Sequence, residues 1–180
     1  MRGVFLDSDS LDPGDLDLGP LEAEADWAFH PHTPNPEVAG RIADADVVIT
    51  NKVVLDADAL ASAPRLRLVA IAATGTNNVD LEAARRLGIA VTNVVGYATP
   101  SVTQHVFALL LALTTRLPAY REAVRAGRWS DSRHFCLLDF PIEELAGRTL
   151  GIAGSGELGS SVAGVARAFG MDVRLAQLPG

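Results

Sequence analysis

Short apolar runs alternate with helical segments along most of the chain. The runs 45–50, 66–73 and 89–94 are rich in valine, isoleucine, leucine and alanine, and a helical pattern separates each run from the next. Strands that read as continuous apolar runs are typical of parallel sheets, because helices cover both faces of such sheets. The alternation therefore predicts an α/β fold with a parallel sheet and helices on both sides.

The alternation of short apolar runs with helical segments ends at Pro100. Ser101 is the predicted N-cap of a long helix over 102–117, which is apolar on almost all sides in its middle. A helix of that kind is typically buried between domains or between subunits. The length of 180 residues allows one domain, or one and a part. We therefore expect a homodimer that forms through the 102–117 helix region.

Acidic residues are concentrated in the first third of the chain. Residues 1–60 carry 13 acidic and three basic side chains, a formal charge of −10 within a total of −7. Nucleic acid would be repelled by that segment, so we expect no nucleic-acid partner. No apolar run approaches the roughly 20 residues that cross a bilayer, and the first residues lack the apolar segment of a signal peptide. These features predict a cytoplasmic protein with no membrane partner.

Histidine and cysteine are too sparse to suggest a metal. Cys136 is the single cysteine, which excludes an internal disulfide and a cysteine-based zinc site. His30 and His32 lie in a proline-rich loop without a nearby third ligand. We therefore expect no metal site.

A glycine motif follows the predicted strand at 149–153. Gly154, Gly156 and Gly159 have the spacing G-x-G-x-x-G, and a helical segment and a second apolar strand come after them. In this context Gly154 permits a tight turn, Gly156 lets a pyrophosphate approach the backbone, and Gly159 lets the helix pack on the strand. The N–H groups of Glu157 and Leu158 would then hold the phosphates.

The residue expected to contact the adenosine ribose lies at the end of that second strand. An acidic residue usually occupies this position, and here it is Gln177. Glutamine can hydrogen-bond a hydroxyl and does not repel a 2′-phosphate. The sequence predicts NAD or NADP as the cofactor, with a slight preference for NAD.

Three further motifs resemble those of the D-2-hydroxyacid dehydrogenases. They are ATGTNNVD at 73–80, NVVGYATPSVTQH at 93–105 and LAGRTLGI at 145–152. The resemblance is greatest to the glycerate dehydrogenases (hydroxypyruvate reductases), and the motifs recur in order over the whole chain. It implies two domains, a flavodoxin-like substrate-binding domain at 1–99 and the first half of a Rossmann nucleotide-binding domain at 100–180, cut after its second strand.

The resemblance also implies roles for individual residues. Backbone N–H groups of Thr74, Gly75 and Thr76 would bind the substrate carboxylate. Lys52, at the end of another strand, would either attract that carboxylate or be an ordinary solvated lysine. Thr103 would either lie near the nicotinamide or be a plain first-turn threonine.

Catalysis in this family uses an arginine, a glutamate and a histidine, and no position in this sequence matches their motifs. His105 lies on the long helix, away from the matching position, and we expect it to pack or to hydrogen-bond between domains. Two hypotheses remain. The chain is part of an NAD(P)-dependent dehydrogenase that acts on hydroxypyruvate/D-glycerate or glyoxylate/glycolate and is inactive alone, or it is a short non-catalytic ligand-binding or dimerisation module.

Overall fold

The computed structural model describes residues 1–11 and 14–176, which form two compact units, Met1–Val95 and Gly96–Gly180. We call them the N-terminal unit and the C-terminal unit. The division falls between Val95 and Gly96, four residues before the predicted boundary. The assignment of substrate binding to one unit and nucleotide binding to the other stays a prediction.

The N-terminal unit contains five strands, four α-helices and a short 3-10 helix at Ser8–Ser10. In chain order the strands and α-helices are β1 (Arg2–Phe5), α1 (Gly19–Glu22), β2 (Asp26–Phe29), α2 (Asn35–Ile42), β3 (Val47–Thr50), α3 (Ala57–Ala61), β4 (Leu68–Ile71), α4 (Leu81–Leu87) and β5 (Ala90–Thr92). All neighbouring strands are parallel, and their order across the sheet is β2-β1-β3-β4-β5. This is the flavodoxin-like order, so the predicted fold class is confirmed.

The core of this unit follows the sheet register. Val4, Val48, Val69 and Val91 occupy paired positions on β1, β3, β4 and β5, and the first three are fully buried. They belong to a cluster of nineteen buried apolar residues that includes side chains of α2, α3 and α4. The apolar runs of the sequence are therefore strands with helices packed against them.

Local capping explains where the short helices begin and end. The carboxylates of Asp56 and Asp80 accept hydrogen bonds from the N–H groups of Ala59 and Ala83, each at 2.8 Å, at the start of α3 and α4. Gly88 ends α4 in the left-handed region, with φ of 72°. Asp80 and Gly88 therefore set the two ends of α4, since an N-cap aspartate and a left-handed glycine are standard start and stop signals.

The C-terminal unit contains three helices and, within its described residues, a two-stranded parallel sheet. Its elements are α5 (Thr99–Thr114), α6 (Leu117–Arg125), β6 (Thr149–Ala153), α7 (Glu157–Ala168) and β7 (Asp172–Ala176). Its core cluster contains four buried residues, Phe107, Leu145, Ala166 and Met171, and Phe107 stacks on Phe169 with ring centroids 5.4 Å apart.

The predicted start of the long helix is wrong. The helix begins at Thr99 with Ala98 as its N-cap, and the Ser101 hydroxyl donates to the carbonyl of Ala98 from inside the first turn. The helix includes Pro100, because proline fits a first turn, where its missing N–H costs nothing. It ends at Thr114, and Arg116, with φ of 55°, separates it from α6.

Within its own unit this helix is only partly buried, and its expected burial between domains or between subunits stays a prediction. Thr103 and Phe107 are its buried residues, whereas Leu109 and Leu113 are 52% and 67% exposed. His105 is also exposed within this unit, and its expected role in packing or in hydrogen bonding between domains stays a prediction. Among the helices at 1–11 and 14–176, none is long and apolar enough to cross a membrane.

Candidate functional site

The carboxyl edge of the N-terminal sheet gathers the residues predicted to bind substrate. Because the strands are parallel, their carboxyl ends lie at one edge, where open α/β sheets bind ligands. Thr50 at the end of β3 pairs with Ile71 at the end of β4. Lys52 follows the first of these strands by two residues, and Thr74 follows the second by three. The fold therefore places both predicted segments at the same edge, after adjacent strands.

The loop at 74–76 is held by its neighbour after β5. The Thr74 hydroxyl donates to the carbonyl of Val94, and the Asn93 side-chain amide donates to the carbonyl of Thr74, each at 2.8 Å. The backbone N–H groups of Thr74, Gly75 and Thr76 donate no hydrogen bond to any residue within the described ranges. A fixed loop with three free N–H groups can accept an anion such as a carboxylate.

Lys52 projects from a loop whose backbone is fixed. Its side chain is exposed and forms no ion pair with any described residue. Its backbone N–H donates to the Asp7 carboxylate at 2.7 Å. The sequence analysis did not identify Asp7 as a site residue. The available signal was its position directly after the first apolar strand, at the same sheet edge.

The glycine motif has the geometry of a tight turn between β6 and α7. Gly154 has φ of 96°, which a side chain would strain. A Cβ at Gly159 would overlap the carbonyl oxygen of Gly154, so only glycine lets the helix approach this closely. A Cβ at Gly156 would meet no atom within 4 Å. The backbone at Gly156 therefore faces open space that a ligand can enter.

The first turn of α7 presents unused donors. The N–H groups of Glu157, Leu158 and Gly159 precede the first intrahelical bond that Ser160 makes to Gly156. They lie at the positive end of the helix dipole, which favours negatively charged ligands. The turn has the donor set and the open space that a pyrophosphate needs.

Two hydroxyl contacts join α5 to α7 in the C-terminal unit. The Thr103 hydroxyl donates to Ser161 at 2.9 Å, and the Thr99 hydroxyl donates to the Glu157 carboxylate at 2.6 Å. These residues line a cavity of about 800 Å³ together with Gln104. Thr103 is thus buried beside the glycine turn. The other predicted contact, Gln177, lies outside the described residues.

Two of the described groups have shifted pKa values, His30 directly after β2 and Asp46 directly before β3. Partial burial, followed by the charge of Arg41, lowers the pKa of His30. Hydrogen bonds from the Arg2 backbone N–H and the Arg65 side chain hold the pKa of Asp46 below its usual range. Across residues 1–11 and 14–176, no three His, Cys, Asp or Glu side chains group as metal ligands would.

Comparisons with known proteins agree with the motifs. A family model described as the catalytic domain of D-isomer specific 2-hydroxyacid dehydrogenases matches residues 7–169. The chain is 42% identical over 174 residues to a glycerate dehydrogenase of Methylorubrum extorquens, covering 94% of this chain and 54% of the relative. It is 38% identical over 176 residues to a hydroxypyruvate reductase of Blautia hydrogenotrophica, covering 96% and 55%.

A solved structure shares the fold. The D-lactate dehydrogenase of Aquifex aeolicus, complexed with NAD and lactic acid, matches with a TM-score of 0.76 and 25% identity, over 100% of this chain and 52% of that one. The chain thus spans about half the length of the relatives it matches. The family model covers most of the chain, and the identities extend over nearly all of it. The chain belongs to the D-isomer specific 2-hydroxyacid dehydrogenase family.

Proposed function

We propose that the chain carries the acid-binding and pyrophosphate-binding parts of an NAD(P)-dependent dehydrogenase. The substrate would be a small 2-keto or 2-hydroxy acid, either hydroxypyruvate/D-glycerate or glyoxylate/glycolate. The observation that carries the proposal is the turn between β6 and α7. Gly154 has a positive φ, and Gly159 packs against the carbonyl oxygen of Gly154, so both positions require glycine. Gly156 has neither of these requirements, and its backbone borders open space.

The acid would bind at the carboxyl edge of the N-terminal sheet. The free N–H groups of Thr74, Gly75 and Thr76 suit the two oxygens of a carboxylate, and Lys52 adds a positive charge after the neighbouring strand. The surrounding N-terminal segment is strongly acidic, so Lys52 is a local exception to the charge of its region. This pattern favours a small acid whose carboxylate fits the loop.

The nucleotide would bind at the N-terminus of α7. The N–H groups of Glu157, Leu158 and Gly159 would hold the pyrophosphate, with Gln177 at the ribose and Thr103 toward the nicotinamide. The nicotinamide ring supplies or accepts a hydride when it is bound. The Glu157 carboxylate is drawn toward Thr99 by a hydrogen bond, which supports an open approach to the backbone of the turn. We propose NAD slightly ahead of NADP.

Catalytic turnover in this family needs an arginine, a glutamate and a histidine, and no residue of the 180-residue sequence matches their motifs. The resemblance assigns polarisation of the ketone to an arginine and proton transfer to a histidine held by a glutamate. We therefore expect the 180-residue chain alone to oxidise neither NADH nor NADPH with hydroxypyruvate or glyoxylate. Measurable oxidation, followed by the loss of absorbance of the reduced nicotinamide, would contradict this part of the proposal.

We also propose a cytoplasmic location and a homodimer formed through the 102–117 helix region. The exposed leucines of α5, Leu109 and Leu113, support self-association, because burying exposed apolar area is the main driving force of such contacts. The same side chains are the observation that favours a non-catalytic dimerisation module as the second candidate function. Nucleotide binding distinguishes the two candidates, since a pure dimerisation module would not bind NADH.

A single methyl group tests nucleotide binding. Gly156→Ala places a Cβ in open space at φ of −68°, so the stability should not change, but the methyl group occupies the approach to the backbone. We expect the Kd for NADH to rise at least about tenfold. Gly164→Ala is the matched control, because it adds the same methyl on α7 where no atom lies within 4 Å. Equal NADH affinity in both variants would refute the proposed site.

A further inference from the structure

A buried carboxylate holds the backbone of the loop that carries Lys52. Asp7 follows β1 and is 4% exposed. Its Oδ1 accepts from the N–H of Asn51 at 2.9 Å, and its Oδ2 accepts from the N–H groups of Lys52 at 2.7 Å and Val53 at 3.3 Å. Three successive backbone donors, more than forty positions away in sequence, thus converge on one side chain.

The same loop is fixed from its other side. The carbonyl of Val53 accepts hydrogen bonds from the Thr50 hydroxyl at 3.2 Å and from the Asn78 side-chain amide at 3.1 Å. Asn78 is itself buried, and its own carbonyl accepts from the N–H of Leu55 at 2.8 Å. The backbone on both sides of Lys52 is therefore fixed, while its side chain remains exposed.

Burial of the Asp7 carboxylate has an unfavourable desolvation free energy. An ionised group loses its hydration when it is buried, and charge-assisted hydrogen bonds from the backbone offset that loss. Asparagine could not replace Asp7, because it offers one acceptor oxygen and would turn an NH₂ group toward backbone donors. The arrangement is specific for a carboxylate, and its bonds converge on the loop of the only lysine in the chain.

We propose that Asp7 is a positioning residue for acid binding, which presents Lys52 beside the free N–H groups of 74–76. This inference rests on the proposed function of that sheet edge. Asp7 acts through the backbone of the loop and does not contact the acid. The consequence is that the affinity for a 2-hydroxy acid depends on a carboxylate that follows β1, the strand next to β3, which precedes the lysine.

The single lysine provides a direct probe. A chain labelled with ¹⁵N-lysine gives one backbone amide signal, which reports the hydrogen bond from Lys52 to Asp7. D-Glycerate is titrated into the wild type, Asp7→Asn and Asp80→Ala, where the last loses the cap of α4 in the same unit. Both variants should lower the Tm. Asp7→Asn should also move the amide proton upfield and raise the Kd for D-glycerate at least about tenfold, whereas Asp80→Ala should stay within about twofold of the wild type.

The titrations distinguish acid binding at this sheet edge from the positioning role of Asp7. If D-glycerate produces no saturable shift in the wild type, acid binding at this edge fails, and the role of Asp7 fails with it. If the wild type, Asp80→Ala and Asp7→Asn all bind equally, acid binding stands and the positioning role is overturned.

A measurement on the wild type covers the case in which Asp7→Asn does not fold. The Lys52 amide hydrogen should then exchange with solvent at least about a hundredfold more slowly than an unprotected amide, although the side chain is exposed. Exchange at the unprotected rate would overturn the inference.

Discussion

The two units of the chain differ in how much of their own surface they bury. The N-terminal unit has a five-stranded sheet and gathers nineteen buried apolar residues into one cluster. The described part of the C-terminal unit has two strands, a cluster of four buried residues, and side chains as exposed as Phe135 at 92% and Leu138 at 85%. The described part of the first unit therefore has the larger buried core, and the described part of the second has the most exposed aromatic and leucine side chains.

Because of this difference, we expect mutations in the N-terminal unit to change mainly stability and mutations in the C-terminal unit to change mainly association. In the N-terminal unit, apolar side chains lie in register across strands, so removing one leaves a cavity that the sheet cannot close. In the C-terminal unit, several apolar side chains contact solvent, so changing one alters what the surface can bind. Mutations of the same chemical type should therefore have different consequences in the two units.

The largest expected effect is a core truncation in the N-terminal unit. Ile71 is 1% exposed and lies at the end of β4. Ile71→Ala should lower the free energy of unfolding by about 2–5 kcal/mol, from lost burial and the cavity left behind. Hydrogen exchange should show this loss in the amides of the N-terminal unit and leave those of α7 unchanged. An equal loss in both units would contradict this expectation.

A smaller effect is expected at the exposed face of α5. Leu113→Arg should weaken self-association at least about tenfold, because a charge would replace an apolar contact at the proposed interface. Analytical ultracentrifugation over a range of concentrations measures it. Leu87→Arg, at a half-exposed leucine in the N-terminal unit, is the control and should not change the association. A wild-type chain that stays monomeric at all concentrations would refute the dimer.

The smallest expected effect concerns the charge beside the glycine turn. Glu157 places a carboxylate in the first turn of α7, where it competes with a phosphate for the same positive end. Glu157→Gln keeps the shape and removes the charge, so it should lower the Kd for NADH by about two- to fivefold. Glu122→Gln on α6 is the control. An unchanged or raised Kd in Glu157→Gln would show that the carboxylate does not oppose the nucleotide.

Most of the fold could be predicted because it depends on local signals. Asp80, the helix over 81–87 and Gly88 form a complete set of start and stop signals, and the structure reproduces them. The start of α5 could not be predicted in the same way. Pro100 is compatible both with a residue before a helix and with a first turn, so tertiary contacts decide between them.

The candidate site could be predicted where a motif carries it. The glycine spacing could be predicted because its backbone demands are visible in the sequence, whereas the loop at 74–76 was predicted from the resemblance to the family. Asp7 and the pairing of Thr103 with Ser161 were not found, because each joins residues more than forty positions apart. Such contacts depend on the parallel register and on helix packing, which a single sequence does not record.

We propose that the N-terminal unit binds the acid and that the C-terminal unit binds the nucleotide. Amide chemical-shift mapping on the isotope-labelled chain tests it most directly, with D-glycerate and NADH added in separate titrations. D-Glycerate should shift the signals of Lys52 and 74–76, and NADH should shift those of 156–159. Shifts from both ligands in the same unit, or no saturable shift from either, would contradict the account.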